Sequence, residues 1–273
     1  MTEGYTARHT LRYACQTYSW QLSIDRYAGR IEHMVRVAAA AGFQGLEPEL
    51  VMLGDSWTAP GLAEVLRRHG IALAALVLAQ PWRTATETDA ERAAADVAVS
   101  TAAALGAKLV LVPLPGPDRS DLFERQRATI ACMDAVARRA ADAGVSSTFH
   151  PNSPPGSLFR TAGDYAVMAE LLPERIGYTP DVGHIAKGGM DPLDVVRHWG
   201  ARVDHVHVKD LAADGTWAPT GAGVVDIAGV LDQLRSTGYA GWVTFEDESP
   251  QAESDPDGAV VRNAAWIRDW EER

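Results

Sequence analysis

Residues 102–113 read AAALGAKLVLVP. An alanine-rich stretch ends at Gly106, and a run of apolar and β-branched residues follows almost at once. Glycine just past a helix end adopts positive φ without the Cβ clash that penalises other residues, and an unbroken apolar run of this length reads as a strand buried on both faces. The same junction recurs in AAAAGFQGLE at Gly42, LRRHGIALAALVL at Gly70, AADAGVSSTFH at Gly144, RHWGARVDHVHV at Gly200 and RSTGYAGWVTFE at Gly238. Helix followed by strand is therefore the repeating unit.

Adding the runs Leu11 to Gln16 and Arg175 to Asp181 gives eight strands, near 11–16, 43–47, 71–78, 107–113, 145–150, 175–181, 203–208 and 241–246. A segment of helical length follows each, at 25–41, 59–69, 87–105, 120–143, 161–172, 191–199, 226–237 and 256–271. Eight alternating units predict an α/β fold, a single (β/α)₈ barrel domain over residues 1–273. The competitor is an open doubly wound sheet, which usually announces a glycine-rich turn after its first strand; QTYSWQLS, residues 16–23, contains no glycine. The Pro/Gly-rich stretches PLPGPD, HPNSPPGS and KDLAADGTWAPTGAG each fall between a strand and its helix, on the face where barrel enzymes build their sites.

Composition narrows the function classes. With 47% hydrophobic and 22% charged residues the chain is ordinary globular protein, neither disordered nor collagen-like. A net charge of −11 opposes phosphate backbones and anionic lipid, so no nucleic-acid or membrane partner is expected. Cys15 and Cys132 form no CxxC pair, which predicts a reducing, cytoplasmic setting. The opening MTEGYTARHT lacks a signal-type apolar core, and the longest apolar run, Leu109 to Leu114, is too short for a bilayer. Homo-oligomerisation stays open.

Metal-capable side chains close four successive predicted strands: His150, Asp181, His207 and Glu246. Two imidazoles and two carboxylates suit one divalent ion, Mn²⁺ first, with Co²⁺, Mg²⁺ or Zn²⁺ as alternatives. Each residue has a plainer reading as well. His150 is read as a hydrogen-bonded structural group, Asp181 as a helix cap, and Glu246 as part of an acidic rim with Asp247 and Glu248. His205 alternates with His207, so only one of the two is expected to face inward. Glu47, ending strand two, reads equally as a substrate-hydroxyl contact or as a helix-start acid in a loop, and Tyr18, Trp20 and Trp82 as apolar walls of a sugar pocket or as packing. His9, His33, His69 and His198 are read as structural or solvent-facing.

These residues resemble the xylose isomerase-like TIM barrels, the sugar phosphate isomerase/epimerase family that includes inosose dehydratase and ketose 3-epimerases. Asp181-Val182-Gly183-His184 is similar to the family's DxGH, His205-Val206-His207-Val208-Lys209-Asp210 to its HxHxKD, and Gly221, Gly223 and Asp226 to its GxGxxD loop. Gly238-Tyr239 and Gly241-Trp242 resemble its turn into the last strand. The resemblance implies that Asp181, His207 and Glu246 bind metal, that His184 contacts a substrate oxygen, and that Lys209 faces the substrate. Where many members carry a Glu in an ENH-like motif, this chain reads His150-Pro151-Asn152. His150 is then the fourth ligand and second catalytic candidate beside Glu246, and Asn152 joins the substrate contacts.

The implied chemistry is proton abstraction α to a carbonyl in a small keto-sugar or polyol ketone, by Glu246 as base and through an enediolate, in an isomerase or epimerase. Dehydration of the inosose dehydratase type, or elimination from a 3-keto-glycoside, is the alternative outcome of the same first step. Two rivals come from other classes. An endonuclease IV-like nuclease would need several metal ions and more ligands than the chain offers, and a non-catalytic barrel would hold little or no metal.

Overall fold

The computed structural model describes residues 10–273; His9 lies outside them. Its strands are β1 (Arg12–Gln16), β2 (Gly45–Glu47), β3 (Ala72–Leu73), β4 (Ala75–Gln80), β5 (Lys108–Pro113), β6 (Ser147–Phe149), β7 (Ile176–Tyr178), β8 (Val206–Val208), β9 (Asp210–Leu211), β10 (Trp217–Ala218) and β11 (Trp242–Phe245). Two parallel arcs, ordered β3-β2-β1-β11-β8 and β4-β5-β6-β7, make the barrel wall. β3 runs into β4 across Ala74, and bridges Tyr178 to Val203 and Asp181 to His207 close the opposite seam. Counting β3 with β4 as one stave, the wall has the eight parallel staves of a TIM barrel.

The junction glycines behave as their positions demand: all six have positive φ, from 48° at Gly200 to 106° at Gly42. At Gly106, φ 65°, the backbone N–H caps the helix that ends at Leu105, and the chain turns directly into β5. The intervening helices are α1 (Tyr18–Gln21), α2 (Ile24–Tyr27), α3 (Ile31–Ala41), α4 (Ala59–His69), α5 (Asp89–Leu105), α6 (Leu122–Asp142), α7 (Ala162–Leu171), α8 (Val182–Lys187), α9 (Pro192–Trp199), α10 (Ile227–Ser236), α11 (Pro250–Ser254) and α12 (Pro256–Glu271). Capping boxes at Thr88/Glu91 and Thr161/Asp164 start α5 and α7 by satisfying orphan N–H groups reciprocally.

Period-two alternation sorts the strand side chains. Val243 and Phe245 of β11 pack into the core between wall and helices, whereas Thr244 between them bonds inward to Glu47 and His205 from other staves. Several expectations need correction. The helix predicted at 25–41 is two helices, split where Gly29 takes φ 76°. The strand at 175–181 stops at Tyr178, and α8 starts beyond it because Asp181 caps a new helix. The stretch KDLAADGTWAPTGAG, read as loop, contains the antiparallel hairpin β9–β10. Among the described residues no helix is long and apolar enough to cross a membrane.

Candidate active site

Backbone bonds between neighbouring staves hold the strand ends at one level. His150 N donates to Leu111 O (3.0 Å), His207 N to Pro180 O (2.9 Å) and Glu246 N to Val208 O (2.9 Å). The four residues singled out from the sequence are thereby brought together: one ligand atom each from His150, Asp181, His207 and Glu246 lies within 4.8 Å of the others, and all four residues are buried. Both nitrogens of His150, Oδ2 of Asp181 and Nδ1 of His207 are buried without a hydrogen-bond partner. Buried polar atoms are ordinarily paired, and these converge, with His150 Nε2 3.4 Å from Asp181 Oδ2 and His207 Nδ1 3.3 Å from Glu246 Oε2. Unpartnered imidazole nitrogens and an unpartnered Asp181 oxygen, with a Glu246 carboxylate beside them, fit a divalent cation.

Asp181 satisfies both readings of it. Its Oδ1 accepts from His184 N at 2.8 Å and caps α8, which leaves Oδ2 for the cluster. Gly183 is required by close approach: a Cβ there would sit 2.9 Å from Cβ of Lys209. Lys209 itself is 1% exposed, and its Nζ lies 2.9 Å from Glu246 Oε1 and 3.6 Å from Asp181 Oδ2, besides bonding Glu248. Lys209, expected to face the substrate, thus has its ammonium engaged by carboxylates that themselves line the cavity, and it is not itself among the lining residues.

Electrostatics follow from this crowding. Burial pushes the Asp181 and Glu246 carboxyls up, but the Lys209 ammonium and nearby imidazoles reverse it, holding Asp181 well below the usual range and Glu246 at about 2. Burial pushes Glu248 up to about 7, and Lys209 only partly opposes it. His184 is held well below its ordinary value by burial and then by Lys209, so its ring is neutral. Lys209 Nζ can only donate, so His184 Nε2 (3.3 Å) accepts, and Nδ1–H donates to Ser153 Oγ at 2.8 Å.

Above the cluster opens a cavity of about 380 Å³, walled by Tyr18, His150, Asn152, His184, Trp217 and Glu246 among others. Asn152 is there, its Nδ2 donating to Pro113 O at 3.0 Å. Trp20 is not: it is fully buried, its indole N–H donating to Asp257 at 2.7 Å. Trp82 is likewise buried away from the cavity. Glu47 is fully buried with both oxygens bound by imidazoles, so it reaches no substrate hydroxyl. His205 and His207 both point inward, since residues two apart on a strand share a face. A larger hollow of about 690 Å³ around Arg12, Lys108 and Trp242 lies at the N-terminal ends of the strands, away from the metal-type residues.

The family model for xylose isomerase-like TIM barrels matches residues 35–270. The chain belongs to this family. Among its curated relatives, the rhizopine catabolism protein MocC of Rhizobium meliloti is 31% identical over 142 residues, 45% of this chain and 42% of the relative. This chain thus spans less than half the length of MocC in that match. Inosose dehydratase of Geobacillus thermodenitrificans is 24% identical and covers 87% of this chain and 89% of its own. Among solved structures, 3-keto-D-glucoside 4-epimerase YcjR from E. coli superposes with a TM-score of 0.74 at 17% identity, over 95% of this chain and 100% of that one, a likeness of fold.

Sequence reasoning missed Trp217 and Glu248. Trp217 stands 5.1 Å from the His184 ring and carries the Lys187 ammonium 4.0 Å above its own ring. Its position in a glycine-rich stretch hid the hairpin that presents it. Glu248 sits two residues beyond Glu246, and its alternation with that residue was the available signal.

Proposed function

We propose that this chain is a divalent-metal-dependent enzyme that enolises a small polyhydroxylated ketone, with an isomerised, epimerised or dehydrated product. The convergence of buried ligand atoms from His150, Asp181, His207 and Glu246 at the floor of the cavity, those of the first three without a hydrogen-bond partner, carries the reading. A cation held there would supply Lewis-acid polarisation of a carbonyl. Glu246 is the base: its low pKa keeps it ionised at neutral pH, and it lines the cavity. His184, neutral and held by Ser153, and Asn152, held at Pro113, would orient substrate oxygens.

A second reading has its own observation. Two-base epimerisation wants a second carboxylate across the substrate from Glu246, and the end of β6 brings His150, not a carboxylate, to the cluster. One carboxylate base suits loss of a β-hydroxyl or β-linked group after enolisation, and the inosose dehydratase relative carries that reaction in its name.

The test is solvent deuterium exchange at the α-carbon across keto-sugars, keto-inositols and 3-keto-glycosides with Mn²⁺, with products analysed for isomerisation and elimination. The parent should exchange label into at least one class, and Glu246→Gln should lose on the order of 10²–10⁴-fold. A Gln variant that exchanges as fast as the parent removes Glu246 from the role of base.

A further inference from the structure

Glu47, absent from the chemistry above, ends β2 inside the barrel and is fully buried. Its two oxygens serve two different imidazoles: Oε2 lies 2.5 Å from His205 Nε2 and Oε1 2.6 Å from His207 Nε2, while Thr244 Oγ1 donates to Oε2 at 3.2 Å. These three acid and imidazole residues form a second metal-shaped group, with ligand atoms within 4.8 Å of one another. The separations decide against a cation there. Two ligands each about 2.1 Å from one ion would meet it at an angle of about 75°, far tighter than tetrahedral geometry. Nitrogen and oxygen this close share a hydrogen, in a charge-assisted bond.

That bond has a consequence for the neighbouring site. A carboxylate only accepts, so both Nε2 atoms carry hydrogens. The lone pair of a neutral His207 is then on Nδ1, the buried, unpartnered atom 3.3 Å from Glu246 Oε2. We propose that Glu47 is a positioning residue that fixes the His207 tautomer and ring orientation so that Nδ1 is presented to a divalent cation, with His205 and Thr244 holding the carboxylate in place. This inference rests on the metal-centre reading above. Outer carboxylates that grip a ligating imidazole typically change metal affinity by about 10–100-fold when removed.

Metal-free protein should be titrated with Mn²⁺ and Zn²⁺ in competition with a chromophoric chelator, for the parent and Glu47→Gln. An amide offers one acceptor oxygen and a donor nitrogen, so one imidazole loses its acceptor; the dissociation constant should rise about 10–100-fold. Melting of the metal-free proteins is the control for general damage. Parent protein that takes up neither ion overturns the metal-centre reading, and this inference with it. Parent binding with an unchanged Glu47→Gln affinity overturns the role of Glu47 alone. Should the variant fail to fold, nitrogen NMR of the Zn²⁺-loaded parent decides: His207 should carry its proton on Nε2, and a proton on Nδ1 contradicts the proposal.

Discussion

His207 carries two relationships at once. Burial lowers its pKa, but Glu47 and Glu246 on its two sides outweigh this and raise it from the ordinary imidazole value of 6.5 to about 10. In metal-free protein this favours the imidazolium, whose Nδ1 lies 3.3 Å from Glu246 Oε2 without a formed hydrogen bond. Because the folded value is raised, the stability this contributes is present in full below about pH 6.5 and is lost as pH rises through about 10. A cation bound at Nδ1 must displace that proton. Calorimetric titration with Zn²⁺ at pH 8, in buffers of different ionisation enthalpy, should report release of about one proton per ion. Heats independent of the buffer would mean that Nδ1 is not displaced by the ion.

Among the elements, the hairpin β9–β10 brings Trp217 to the lining of the cavity, and the turn after it holds the hairpin in place. Asp210 gathers the N–H groups of Gly221 (2.9 Å), Gly223 (2.9 Å) and Val225 (3.2 Å) onto one carboxylate. A Cβ at Gly223 would fall 2.2 Å from its Oδ1, so the turn closes only with glycine. This organises the loop that holds Trp217 against His184. Asp210→Asn trades an acceptor oxygen for a donor and leaves at least one of those N–H groups unpaired, at about 1–3 kcal/mol. Metal content should be unchanged while KM rises several-fold in steady-state assays; unaltered KM would show that the hairpin does not shape the substrate site.

The same elements show what could be read in advance. Strand-end residues were legible because barrel strands run outward to a common face, so His150, Asp181, His207 and Glu246 needed only their place in the repeat. Asp226 of the glycine-rich motif proved to be a cap for α10, accepting from Gly229 N at 2.9 Å, while the organising acid is Asp210. Trp20 looked like a pocket wall because it follows β1, but α1 begins at Tyr18 and rotates Trp20 into the core, leaving Tyr18 on the cavity. Glu47 was read from its strand-end position alone, which does not reveal that two imidazoles from another stave already occupy it. Contacts across the barrel depend on register between distant strands, and no local pattern encodes that.

At the scale of the whole molecule, the barrel closes staves that are far apart in sequence and so collects carboxylates that would repel one another in isolation. Glu47, Asp181, Glu246 and Glu248 converge on the interior with the Lys209 ammonium and the imidazoles as the balancing groups. A buried group of like charges is tolerated only when each is paired, and a divalent ion, as proposed above, would complete the balance where ligand atoms stand unpartnered. The most direct test is an anomalous difference map from crystals of the parent protein grown with Mn²⁺. One peak is predicted, within about 2.0–2.3 Å of a ligand atom from each of His150, Asp181, His207 and Glu246. A map with no peak among these four, or with its peak elsewhere in the barrel, would contradict the account.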